Sequence, residues 1–216
     1  MSAPLRHRDS GQWLGSFAGR VEVACPRCGR AGAVHADARW VAVFICSGCG
    51  LDARSERNDW LGNLHLTGRR PCGYCGHQWL RVNRVQRGSG TAPIRVEEWR
   101  PTPMPEVIAV TCPICGRDSD VTIQAYRERD GEGHDPHFGL PLRLIERTRA
   151  GLLWAYNGEH IDELRRYVAA QQRERRGTIS NRSMASRLPT WMKLARNRKR
   201  VLHGLDRLAA KLDAAS

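Results

Sequence analysis

Cys25-Pro-Arg-Cys28-Gly29, Cys46-Ser-Gly-Cys49-Gly50, Cys72-Gly-Tyr-Cys75-Gly76 and Cys112-Pro-Ile-Cys115-Gly116 together hold all eight cysteines of the 216-residue chain. A Cys-x-x-Cys turn can place both sulfurs on one cation, at about 2.3 Å for zinc. Tetrahedral zinc takes four such ligands, so two turns close one site and four turns predict two sites. The glycine after each second cysteine suits a backbone position of positive φ, which glycine adopts without steric cost. That turn aims backbone amides at the sulfurs, where they offset thiolate charge. Two turns also carry proline after the first cysteine, Pro26 and Pro113, which stiffens them. The expected cofactor is therefore two Zn2+ per chain, on Cys25, Cys28, Cys46, Cys49, Cys72, Cys75, Cys112 and Cys115.

Two other uses of these cysteines compete. Disulfides need an oxidising compartment, but the chain opens Met1-Ser-Ala-Pro-Leu-Arg-His-Arg8 with no apolar signal core. The reading is a cytoplasmic protein with reduced thiols. Iron in a rubredoxin-like four-thiolate site uses the same turn geometry and would make the protein an electron carrier.

Order and spacing set the pairing. Seventeen residues separate Cys28 from Cys46, and 36 separate Cys75 from Cys112. The competing pair, Cys46/Cys49 with Cys72/Cys75, has 22 residues between. Sequential pairing is favoured because the intervening segments read as strands. Arg39-Trp-Val-Ala-Val-Phe-Ile45 runs into Cys46, and Val107-Ile-Ala-Val-Thr111 runs into Cys112. Gln78–Val85 and Ile94–Trp99 flank a Gly88-Ser-Gly-Thr-Ala-Pro93 turn and predict a hairpin inserted in the second unit. Residues 50–71 show weaker strand character.

These four turns resemble the zinc-ribbon superfamily, over roughly residues 20–120. The superfamily occurs in transcription initiation factors, ribosomal proteins and accessory regions of helicases and topoisomerases. The resemblance implies metal roles for the eight cysteines and nothing more specific. Leu153-Trp-Ala-Tyr-Asn-Gly-Glu-His160 and Ser186-Arg-Leu-Pro-Thr-Trp-Met-Lys193 are similar to a segment of uncharacterised bacterial zinc-ribbon proteins, which implies a bacterial origin and no mechanism.

The expected fold class is α+β: two tandem four-cysteine zinc ribbons made of small antiparallel sheets, then a basic helical domain. The expected division is a flexible terminus at 1–19, ribbon 1 at 20–68, ribbon 2 with its hairpin insertion at 69–130, and the helical domain at 131–216. Small ribbons have little core, so the metal acts in its place as the stabilising term. In the last part, residues 140–156 read as mixed structure. Asn157 or Gly158 caps a helix from about Glu159 to Arg175 that Gly177 ends. Pro189 has a short helix on each side. Val201, Leu202, Leu205, Leu208, Ala209 and Leu212 stripe a last helix from about Arg198 to Leu212.

The formal charge is +13. Residues 143–216 hold 17 Lys and Arg against 7 Asp and Glu, so most of the excess lies there. A preference for arginine over lysine fits a GC-rich genome but does not explain a local shortage of acids. The asymmetry points to nucleic acid, DNA or RNA, as partner. The candidate contacts are Arg182, Arg187, Lys193, Arg196, Arg198, Lys199 and Arg200, since guanidinium forks suit phosphate oxygens. Trp191 among them reads as a core anchor before it reads as a base-stacking ring. The arginines of the ribbons, Arg81, Arg84 and Arg87 among them, are a weaker signal because their spacing alternates strand faces.

No run of apolar residues is long enough for a membrane helix, and no membrane partner is expected. His134-Asp-Pro-His137 is a minor candidate for a further metal site, but lacks the pattern of a hydrolytic one. No Gly-x-Ser-x-Gly, Walker loop or GxGxxG is present. The sequence reads as no enzyme. Nucleic-acid binding leads. An adaptor that docks a larger protein complex comes second, and the electron carrier third.

Overall fold

The structure is a computed structural model that describes residues 6–88, 90–128, 133–174 and 183–214. Among them the chain is a mixture of small sheets and helices. Every strand pairing is antiparallel except one. The exception joins β1 (Arg6–Arg8) to β14 (Gln172–Glu174) in parallel. Thus part of residues 1–19, set apart above as a flexible terminus, lies against the far end of the chain.

The first cysteine group is carried by a meander of β2 (Arg20–Ala24), β3 (Ala31–Ala36), β4 (Ala42–Ile45) and β5 (Asp52–Arg54). Val34, Ala42, Phe44 and Ala53 alternate with more exposed neighbours and share one buried face with Val21 and Val23, while Glu22 between those valines is buried on the opposite face.

The second group is carried by β7 (Leu64–Arg70), β8 (Leu80–Gln86), β10 (Thr102–Thr111) and β11 (Asp118–Arg127), in the order β10-β11-β7-β8. In β11, Ser119, Val121, Ile123 and Ala125 point in, while Asp118, Asp120, Thr122, Gln124 and Tyr126 point out. The β10 register breaks between Pro103 and Val107, where Pro103 and Pro105 offer no amide to the ladder.

This sheet corrects the reading of its hairpin. Residues 64–70 lie in the segment read as weak in strand character, yet β7 is a central strand bonded to both β8 and β11. Its polar residues are simply its outer face: Leu64 and Leu66 are buried, His65 and Thr67 are not. Gly68 lets β11 come close, because a Cβ there would stand 2.5 Å from the Thr122 carbonyl oxygen. Accordingly β8 does not pair with Ile94–Arg95. That two-residue strand, β9, pairs with β6 (Asp59–Trp60).

Beyond residue 132 the chain forms a hairpin of β12 (Ile145–Thr148) and β13 (Gly151–Trp154), then helix α1 (Gly158–Ala169). Asn157 caps α1, accepting from the His160 amide at 2.9 Å. The helix ends at Ala169, short of the expected Arg175, because Ala170 turns extended. Arg198 then binds the carbonyls of Val168 and Ala170, at 3.1 and 3.0 Å. Gly177, the expected terminator, lies outside the described residues. Two one-turn helices, α2 (Met184–Arg187) and α3 (Thr190–Lys193), flank Pro189 as expected, and α4 spans Arg198–Asp213.

Two hydrophobic clusters result. One joins the β2–β5 sheet to residues 138–208 through Val21, Phe44, Phe138, Leu153, Ile161, Val201 and Leu205. The smaller one belongs to the β10-β11-β7-β8 sheet and includes Leu66, Leu80, Val121, Ile123 and Trp60. The helices thus pack on the first metal unit. Arg143 ties them further, donating to Glu22 Oε2 at 3.0 Å and to the Lys211 carbonyl at 2.7 Å. No helix among the described residues is long and apolar enough to cross a membrane.

Candidate metal centres and the surfaces they support

All four turns adopt one geometry. The amide of the first cysteine bonds the carbonyl five residues on, at 2.8 to 2.9 Å: Cys25 to Arg30, Cys46 to Leu51, Cys72 to His77, Cys112 to Arg117. The glycine amide returns to the first cysteine's carbonyl, and Gly29, Gly50, Gly76 and Gly116 all have φ near +70°. In this turn the amides beyond the first cysteine face its sulfur, as Gly48 does Cys46 and Tyr74 does Cys72, each at 3.4 Å.

The sheets bring the turns together in pairs. The sulfurs of Cys25, Cys28, Cys46 and Cys49 lie within 4.8 Å of one another, and so do those of Cys72, Cys75, Cys112 and Cys115. Sequential pairing is the one found. The close sulfur contacts run from 3.5 to 3.7 Å, and no disulfide forms. Four sulfurs about 2.3 Å from a central zinc would stand about 3.8 Å apart. The donor set therefore fits a four-coordinate, thiophilic cation. Among the described residues no third group of three or more ligand side chains gathers. His137 is committed elsewhere, bonding the Ala18 carbonyl through Nε2 at 2.9 Å.

The thiols do not ionise alike. Burial opposes the Cys46 thiolate, but the amides of Gly48 and Cys49 and the adjacent thiols bring its pKa down to about 6. The amides of Cys75 and Tyr74 do the same for Cys72, also to about 6. Cys25 is pushed up to about 12, by burial first. Cys75 also rises to about 12: the His77 amide pulls it down, but burial and the three neighbouring thiols win. One thiolate forms easily in each group and the next meets its charge. A cation at the centre removes that conflict.

A fifth turn of the same shape has no cysteine. In Asp135-Pro-His-Phe-Gly139 the Asp135 amide bonds the Leu140 carbonyl at 2.8 Å, the Gly139 amide returns to the Asp135 carbonyl at 3.2 Å, and Gly139 has φ +70°. The buried Asp135 carboxylate stands where a sulfur would. Oδ1 accepts the amides of His137 and Phe138 at 2.9 and 3.0 Å, and Oδ2 accepts that of Leu140 at 2.5 Å. Burial pushes its pKa up against the pull of those amides. The signal was in the sequence: proline one residue on and glycine four on, as at Cys25 and Cys112.

The C-terminal cations separate by duty. Arg198 caps α1, and Lys193 Nζ donates to the Ser186 carbonyl at 2.8 Å. Arg200 is exposed and touches Asn197 Oδ1 at 3.3 Å. Arg187, Arg196 and Lys199 are exposed as well. Arg182 lies outside the described residues. On α1, Arg165 is held by Asp162 and Asp206, and Arg166 by Glu163. Trp191 is partly buried against the larger cluster, the packing role expected of it.

An apolar cavity of about 250 Å³ opens between α1, α2 and α3, lined by Leu14, Leu152, Trp154, Leu164 and Met192 among others. His160 is a buried polar group on its wall. Its Nδ1 accepts from the Tyr156 amide at 3.2 Å, which leaves the proton of the neutral ring on Nε2. Burial lowers its pKa to about 3. No protein-family model, curated protein or solved structure matches this chain.

Proposed function

We propose that the chain is a non-enzymatic nucleic-acid-binding protein whose two four-cysteine centres hold structural zinc. The observation that carries the partner is the placement of charge. Arg187, Arg196, Lys199 and Arg200 are exposed on one stretch of 14 residues, and no carboxylate among the described residues pairs with Arg196 or Lys199. Such cations raise affinity for a polyanion by releasing its counterions. Arg198 and Lys193 contribute mainly to the fold. The metal pins pairs of turns that small sheets could not hold alone.

The test is fluorescence anisotropy of metal-loaded protein with single-stranded DNA, duplex DNA and RNA across a salt series. The expected result is affinity that falls steeply with salt, with a shallower slope in the Arg196→Ala/Lys199→Ala/Arg200→Ala variant. Arg198→Ala should lower stability more than it changes the slope. Absence of binding at about 50 mM salt, where electrostatic attraction is still strong, overturns the reading. Metal analysis of the same sample should find about two zinc equivalents. Iron with reversible one-electron reduction would favour the electron carrier.

The adaptor reading has its own support in exposed apolar side chains, with Trp99 81% and Ile114 70% accessible. Capture of one protein partner with little salt dependence would favour it.

A further inference from the structure

We infer that the open face of the β10-β11-β7-β8 sheet is a platform for single-stranded nucleic acid. This rests on the reading that the chain binds nucleic acid, and it adds base contact on the second four-cysteine unit to the phosphate contact of the C-terminal helices.

The sheet has one covered face, made by Leu64, Leu66, Leu80, Val121, Ile123 and Ala125. The other face is set by register. Tyr126, His65 and Val85 form one row across β11, β7 and β8. Gln124, Thr67 and Asn83 form the next. Arg69 and Arg81 sit opposite each other beyond it. Trp79 lies at that end, with the Arg69 guanidinium 5.0 Å from its ring centre. All of these but Val85 and Trp79 border a shallow concavity of about 670 Å³, which Thr122 also lines.

Three features select the ligand. First, Trp79 and Tyr126 are 46% and 38% accessible. Exposed rings on a sheet offer stacking faces to unpaired bases, which a duplex keeps buried in its own stack. Second, Arg69 and Arg81 face each other across the ladder, a placement of like charges that weakens a sheet, and no carboxylate among the described residues pairs with either. An anion between them removes that repulsion. The acids near this face lie at its ends: Glu128 stands 4.0 Å from His65, and Asp120 is exposed one outward position beyond Thr122. Third, the ground between rings and arginines is polar. Asn83 Oδ1 meets His65 Nε2 at 2.5 Å, which leaves the Asn83 amide hydrogens, Gln124 and two threonine hydroxyls facing outward to bond base edges. An apolar protein partner would leave those groups without water or partners. The rows of Tyr126 and Arg69 are four residues apart, about 13 Å. In one single-strand-binding module, aromatic side chains on a four-stranded sheet stack about two or three bases.

The experiment compares the full metal-loaded chain with Trp79→Ala/Tyr126→Ala, Arg69→Ala/Arg81→Ala and the helix variant Arg196→Ala/Lys199→Ala/Arg200→Ala. The probes are a labelled oligothymidylate, a matching oligouridylate and a mixed-sequence duplex. Zinc content reports folding, and Trp79→Phe/Tyr126→Phe keeps the rings. The aromatic-to-alanine variant should bind the single strands at least tenfold more weakly, with the phenylalanine pair near wild type. The sheet arginine variant should lower the salt slope by about one. If wild type binds single strands while both sheet variants match it and only the helix variant fails, this platform is overturned and the nucleic-acid reading stands. Equal binding of single strand and duplex, with no loss in the aromatic variant, overturns it as well. If wild type binds none of the three probes, both readings fall.

Discussion

Asp135 holds a turn of the cysteine-turn shape through its carboxylate alone. It accepts three backbone amides, and two of them, from His137 and Phe138, hold the positions whose amides face sulfur in the Cys46 and Cys72 turns. Alanine there would leave three buried donors without acceptors, a loss of about 3 kcal/mol or more. Urea unfolding of Asp135→Ala should show it as a lower midpoint with unchanged zinc content; an unshifted midpoint would deny the carboxylate its role. His160 carries a pH dependence. Its folded pKa, about 3, lies below the ordinary value of 6.5, so the unfolded chain takes up the proton first. The contribution is fully present above about pH 6.5 and is lost progressively as pH falls toward 3. Between pH 7 and 5 the loss is about 2 kcal/mol by this linkage. His160→Gln should flatten that part of the stability curve, whereas acid release of the metals persists in both proteins. A parallel curve for the variant would show that His160 does not stay neutral.

At the scale of elements, each sheet is threaded through its metal group. β7 ends two residues before Cys72, β10 ends beside Cys112, and β11 begins three residues after Cys115. Cys112→Ser removes one of four ligands where a closed site needs all of them. Zinc should fall from about two equivalents to about one, and amide exchange should become fast in Leu64–Arg70 and Asp118–Arg127 while α1 and α4 stay protected. Retention of two zincs would contradict the grouping. The elements also show why β7 was hard to read. Strand propensity in Leu-His-Leu-Thr-Gly-Arg-Arg is low, but two leucines on one face and a glycine that admits β11 suit a central strand once its neighbours exist.

Across the whole molecule the two metal units are not equivalent. The first shares its core with Phe138, Leu153, Ile161 and Leu205, and Arg143 bridges it to α4. The second has a smaller cluster of its own. Less buried apolar area means more dependence on the metal. Chelation should therefore melt the chain in two steps, with protease cutting first in residues 64–127 and only later in 20–54 and 158–213. A single cooperative loss would show instead that the clusters fold as one.

The grouping of the eight cysteines, a helix capped at Asn157 or Gly158 and the final amphipathic helix were all legible from the chain. Each follows from neighbours within a few residues: sulfur spacing, a glycine of positive φ, a side-chain cap, an apolar stripe. Which strand lies beside which, the packing of the helices on the first unit, and the bonds of Arg198 and Lys193 to backbone carbonyls emerge from the three-dimensional fold. The reason is physical. Those outcomes depend on pairings between residues far apart in the chain, such as Leu66 beside Ala125 or Arg198 beneath Val168. Local propensity does not carry that information, because the favourable term appears only when both partners are already in place.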